Sequence, residues 1–108
     1  MPRITTHAIP LETVCRASGA MLDELEALLK VPREHFALAV REDPFVRDGA
    51  VVAGDPFVEV CLFDRGQAAE DHVARIITDH LQRAGCLHVD VYLTRLERHR
   101  YFEDGVPF

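Results

Sequence analysis

Two stretches of helical apolar spacing, each framed by short strand-like segments, are what most limit how this chain can fold. Leu11, Val14, Cys15, Ser18, Met21, Leu22, Leu25, Leu28 and Leu29 recur at intervals of three and four, with Glu12, Arg16, Asp23, Glu24 and Glu26 largely on the other side. Pro10 suits the first turn of this helix and Pro32 ends it. Gly19 lies inside it, where a missing side chain predicts close packing against a neighbour. The second stretch runs over 67–84, with Ala69, Val73, Ile76, Ile77, His80, Leu81 and Ala84 as its stripe. Glu70 and Asp71 complement its positive end, and Gly85 is a natural stop.

The framing segments read as strands. Residues 3–8 are short and β-branched. Residues 35–42 put Phe36, Leu38 and Val40 on one face. Residues 57–63 put Val58, Val60 and Leu62 on one face and Phe57, Glu59, Cys61 and Phe63 on the other. Residues 87–94 alternate Leu87, Val89, Val91 and Leu93 with His88, Asp90, Tyr92 and Thr94. Pro44, Gly49, Gly54 and Pro56 make 43–56 a loop with room for a short strand at Val51 and Val52. Glu103-Asp104-Gly105 predicts a turn, so the tail closes as a short strand or hairpin.

The expected fold class is therefore α+β. Two β-α-β units, each parallel and right-handed, form a four-stranded sheet with both helices on one face. The bare face would show Phe57, Cys61, Phe63 and Tyr92, which is too apolar for water if contiguous. A closed homo-oligomer packing sheet against sheet is the expected answer.

A chain of 108 residues reads as a single domain, 1–108, able to bury a core without staples. Its formal net charge of −6 and lack of a basic run make nucleic acid a poor partner. No signal peptide opens it and no apolar run is long enough for a bilayer, so a cytoplasmic location without membrane association is expected. Cys15, Cys61 and Cys86 are widely spaced and flanked by apolar residues, which predicts buried, reduced thiols. The six histidines show no His-x-x-x-His, so no metal site is expected. No nucleotide loop or Gly-x-Ser-x-Gly occurs, and no cofactor is expected.

Chemistry has one distinctive opening. Initiator methionine is usually removed before a small residue, and removal at Met1 would leave Pro2 as a secondary amine at the start of the first strand. An α-amino group titrates close enough to neutrality to act as a base at working pH. Arg41 and Arg65 lie at strand ends, where pockets open, and guanidinium matches a substrate carboxylate bidentately. Glu59 is a charge inside an apolar strand, either a pocket acid or one half of an ion pair. Tyr101 and Phe102 either close a pocket or pack against a neighbouring subunit.

The start Met-Pro-Arg-Ile, the double β-α-β order and the run Lys30-Val31-Pro32-Arg33-Glu34-His35-Phe36 together resemble the macrophage migration inhibitory factor-like branch of the tautomerase superfamily. The Val-Glu-Val strand and the tail Tyr101-Phe102-x-Asp104-Gly105-x-x-Phe108 are most similar to a bacterial group of tautomerase-like proteins of about this length. The resemblance implies a homotrimer with sites at subunit boundaries and Pro2 as general base. It implies Lys30 beside the pocket, Arg65 on a turn bordering it, and Asp90 and Tyr92 on the strand that serves a neighbour. At 90 and 92 the chain departs from the better-known members, which carry Tyr and Asn there. The implied activity is keto-enol tautomerisation of a small carboxylate-bearing compound. The alternatives are a trimeric module of this fold without activity, and a ferredoxin-like ligand-binding module.

Overall fold

Each half of the chain folds as its pattern requires and then adds a hairpin. The computed structural model describes residues 2–108. The first half holds β1 (Arg3–His7), α1 (Leu11–Leu29), β2 (Ala37–Arg41), β3 (Phe45–Arg47) and β4 (Ala50–Val52). The second holds β5 (Phe57–Phe63), α2 (Gln67–Arg83), β6 (Asp90–Leu96), β7 (Phe102–Glu103) and β8 (Val106–Pro107). Single turns of 3-10 helix, Arg33–His35 and Arg98–Arg100, precede β2 and β7.

The main sheet has the order β2-β1-β5-β6. β1 pairs parallel with β2, β5 pairs parallel with β6, and β1 meets β5 antiparallel at the centre. Each parallel pair sits next to its own crossover helix, not interleaved with the other pair as in the split ferredoxin-like plan. That order removes the ferredoxin-like alternative. The two halves are related by a pseudo-two-fold axis through the β1–β5 seam. Pro56 stands 54 positions after Pro2, and each proline directly precedes its half's first strand. The Pro2 carbonyl accepts from the Ala37 amide at 3.1 Å, and the Pro56 carbonyl accepts from the Asp90 amide at 3.2 Å.

The core lies between the helices and one sheet face. Ile4 and Thr6 of β1 and Val58, Val60 and Leu62 of β5 are buried there with Val14, Met21 and Leu25 of α1 and Val73, Ile77 and Leu81 of α2. His80 joins this layer because Glu24 of α1 meets its Nε2 at 2.7 Å. Glu70 is buried as well, held by the Arg95 guanidinium at 2.6 Å.

Several expectations change. The short strand expected at Val51 and Val52 is present as β4, and it pairs with β3 in a hairpin closed by Asp48-Gly49 with φ values of 51° and 79°. Asp-Gly tolerates two successive positive φ angles, which is what a two-residue hairpin turn needs. The tail uses the same device at Asp104-Gly105, with φ values of 52° and 81°. The last main strand starts at Asp90, not 87, and Leu87 is exposed; β6 is fixed by pairing with β5, which begins at Phe57 opposite Asp90. β2 begins at Ala37 because the turn Arg33–His35 takes up the residues after Pro32. Pro10 stands just ahead of α1, its carbonyl accepting from Thr13 and Val14. A side chain at Gly19 would meet open space, so this glycine serves no close packing. Cys15 is exposed and Cys61 and Cys86 are half-buried; Cys15 follows Val14 around the helix and leaves the core-facing stripe.

The bare face is partly covered by the chain's own end. Tyr101 and Phe108 pack on Phe63, with ring centroids 5.5 Å and 5.4 Å away. The Arg98 guanidinium lies over Phe63 at 4.6 Å. Phe63 is buried as a result, while Tyr92 stays exposed.

Candidate active site

The pairing register sorts the sequence candidates into two groups. Pro2, Lys30, Arg65 and Tyr101 fall at the end of the sheet where β1 starts. Arg41, Glu59 and Tyr92 gather on the bare face toward the other end.

At the Pro2 end, β1 begins, α1 ends and β5 turns into α2. Pro2 is buried, and its carbonyl is tied to β2. Met1, on whose removal the amine depends, lies outside the described residues. Lys30 ends α1 in the left-handed conformation, φ 56°, with its amide donating to the Glu26 carbonyl at 3.0 Å. The Arg65 guanidinium donates to the Leu29 carbonyl at 2.8 Å. This satisfies one of the helix's terminal carbonyls and brings a second cation beside Lys30. Tyr101 walls three clefts here. One, of about 140 Å³, is lined by Arg3, Cys61, Leu96 and Tyr101. A second, of about 330 Å³, runs from Arg95 to Arg100 along the end of β6. The third, of about 410 Å³, opens between His35 and the tail hairpin. Pro2 lines none of these within one protomer.

The second group is a polar network that includes residues sequence reasoning missed. His7 Nδ1 and Asp43 Oδ2 are 3.0 Å apart. Arg41 donates to the same carboxylate at 3.2 to 3.4 Å. The Tyr92 hydroxyl donates to Glu59. Glu59 Oε2 lies 3.5 Å from His7 Nε2, a buried nitrogen that makes no hydrogen bond. The His7 ring stacks on Phe57 at 4.2 Å, and Phe57 on Tyr92 at 6.2 Å. The Arg41 hydrogen bond, followed by His7, holds the Asp43 carboxyl below the usual carboxylate range. The Tyr92 hydroxyl does the same for Glu59, and Glu59 in turn raises the Tyr92 phenol. Among the described residues no Arg or Lys pairs with Glu59; its hydrogen-bond partner is the Tyr92 hydroxyl. The missed signal was strand parity on β1: it places His7 on the sheet face already read for Phe57 and Glu59, and the β1–β5 register makes them neighbours.

Among the described residues, no group of three or more His, Cys, Asp or Glu side chains is arranged to hold a metal. Among the described residues, no helix is long and apolar enough to cross a membrane.

The family described as Domain of unknown function (DUF1904) matches residues 1–107. The chain belongs to that family. A DUF1904 protein of Sebaldella termitidis, known from its crystal structure, is 30% identical with all of both chains covered and a TM-score of 0.88. The macrophage migration inhibitory factor-like protein of Entamoeba histolytica is 13% identical, with 99% of this chain and 98% of that chain covered and a TM-score of 0.69. A wild-type fused 4-OT protein, solved as an asymmetric trimer, is 10% identical, with 97% and 94% covered and a TM-score of 0.72. Among curated proteins, none matches. This DUF1904 chain therefore has the tautomerase fold of the macrophage migration inhibitory factor and 4-OT proteins.

Proposed function

We propose that this DUF1904 protein is a keto-enol tautomerase whose base is the amine of Pro2, freed by loss of Met1. The observation that carries the reading is the position of Pro2. It heads the central strand β1 with its carbonyl fixed to β2, at the sheet end that also carries Lys30 and Arg65. The tautomerase fold of the chain supports it.

The amine would take a proton from a carbon next to the carbonyl of a small keto or enol carboxylate and return it at another position. Lys30 and Arg65 would hold the carboxylate and stabilise the enolate charge that forms. Arg41 is the weaker choice for that role, because it faces the other end and is engaged by Asp43. The protein works as a homotrimer with the bare sheet faces turned inward, which would bring a neighbour's β6, with Tyr92, toward each site. The location is cytoplasmic.

Intact mass of the native protein and turnover of an enol carboxylate, followed by loss of enol absorbance, test this together. The expected result is absence of Met1, turnover in the wild type and its loss in Pro2→Ala, with a trimeric mass in solution. Retained Met1 or unchanged turnover in Pro2→Ala overturns it. A second reading, a trimeric module without turnover, is favoured by one observation: Pro2 is buried and lines none of the three clefts walled by Tyr101. It predicts no turnover in either protein.

A further inference from the structure

His7 sits in the middle of a polar chain that crosses every strand of the main sheet on its bare face. Arg41 of β2 donates to Asp43, and Asp43 meets Nδ1 of His7 on β1. Nε2 of His7 faces Glu59 of β5, which accepts from Tyr92 of β6. From β2, the loop after it, β5 and β6, the charged and titratable groups turned toward this ring are therefore Arg41, Asp43, Glu59 and Tyr92.

Both ring nitrogens look at carboxylates. Nδ1 is 3.0 Å from Asp43 Oδ2, whereas Nε2 is 3.5 Å from Glu59 Oε2 and is buried without a hydrogen bond. A neutral imidazole carries one N–H, so it serves one of these acids and turns a lone pair on the other. The imidazolium carries two and serves both. Charge favours the same form. With His7 neutral, the carboxylates of Asp43 and Glu59 against the one guanidinium of Arg41 leave a surplus of one negative charge; the imidazolium cancels it. On a single protomer water solvates that surplus, because the Asp43 and Glu59 side chains are 37% and 38% exposed. A second copy laid on this face removes the water, and an uncompensated charge buried there is costly.

We propose that assembly of this protein through its bare sheet faces takes up a proton at His7, so that the homotrimer is tighter in mild acid than in mild base. The inference rests on the inward-facing trimer proposed above and not on the Pro2 chemistry. The other members of the chain keep their charge between about pH 6 and pH 8, the range in which histidine changes its own. Hydrogen bonds from Arg41 and then His7 hold Asp43 below the usual carboxylate range, the Tyr92 hydroxyl holds Glu59 there, and Glu59 raises the Tyr92 phenol. Each proton taken up on association lowers the logarithm of the association constant by up to about one for every unit of rising pH.

Sedimentation equilibrium of the full-length protein at about pH 6 and about pH 8 tests this, in salt enough to screen the chain's net charge of −6. The expected result is a trimer association constant about tenfold or more larger at the lower pH. Glu59→Gln removes the surplus charge and offers an amide N–H to the bare nitrogen of His7. It should raise association at the higher pH to near the level at the lower one, a gain that a merely structural Glu59 would not give. His7→Gln has no ring to titrate and should associate alike at both. Pro2→Ala should keep the pH dependence of the wild type, so loss of the tautomerase chemistry leaves this proposal standing. A wild-type trimer equally tight at both pH values, or tighter at the higher one, overturns the proposal and leaves that chemistry untouched. A pH dependence that survives in Glu59→Gln overturns it too, and absence of a trimer at either pH overturns it together with the trimer itself.

Discussion

The carbonyl oxygen of Pro2 accepts a hydrogen bond from the Ala37 amide at 3.1 Å, so the proposed base is fixed by its backbone and not by its ring. Any residue at position 2 can make that bond. Pro2→Ala should therefore melt within a few degrees of the wild type while its turnover falls, because the ring's secondary amine, held in place by the pyrrolidine, is replaced by a freely rotating primary amine. Pro56→Ala, at the pseudo-equivalent position, should leave turnover unchanged, because the Pro56 nitrogen is an amide. Circular dichroism melting and steady-state kinetics check both.

Stability should fall in acid through the bare-face network. The carboxyls of Asp43 and Glu59 titrate lower in the folded protein than in the unfolded chain. Their contribution is then present in full above the ordinary carboxylate value, and is lost as the pH falls through the lowered folded value. Tyr92 is raised, so its contribution holds below the ordinary phenol value and is lost as the pH rises through the folded one. Denaturant midpoints measured against pH should show both limbs. Glu59→Gln should flatten both, and added salt should shrink them, since these groups are open to solvent.

Gly19→Ala should stabilise the protein. The position is inside α1, a side chain there meets nothing, and the residue is exposed. The expected gain is about 0.5–1 kcal/mol in urea unfolding, from lost freedom in the unfolded chain and better helix propensity. A loss of stability would show a contact for Gly19 that the fold does not contain.

Leu25→Ala should cost about 2–5 kcal/mol by the same measurement. Leu25 is fully buried where α1 meets the sheet. Leu28→Ala, on a half-buried position one turn along, should cost less.

The helices and β5 were plain in the sequence because apolar periodicity is local and both stripes are long. β6 was misplaced toward its N-terminus because Leu87 and Val89 continue the alternation, while the true start is set by a partner strand far away in sequence. The β3–β4 hairpin was written in Asp48-Gly49 but hidden by Pro44, Gly54 and Pro56 around it. Of the candidate site, the place of Lys30 and Arg65 near Pro2 came from the resemblance to the macrophage migration inhibitory factor-like branch and not from any local pattern. The link from His7 to Glu59 and Asp43 was not legible, because it depends on the antiparallel register of β1 on β5 and on a side chain from the loop after β2.

The two-fold seam between β1 and β5 bears on how such a chain could arise. Half of it, about the length from Pro2 to Asp55, has one helix, two strands of the main sheet and the β3–β4 hairpin, and leaves much of its apolar surface uncovered. Such a half-chain would be held together only by meeting a second copy along the edge now occupied by β5. The present seam is thus built as the interface of a two-fold dimer would be, with the Ala53–Pro56 stretch as a tether. Joined covalently, the two halves need not be identical: Cys61 of the second stands where the first has His7, and only one of the two equivalent ends has to carry the proposed chemistry.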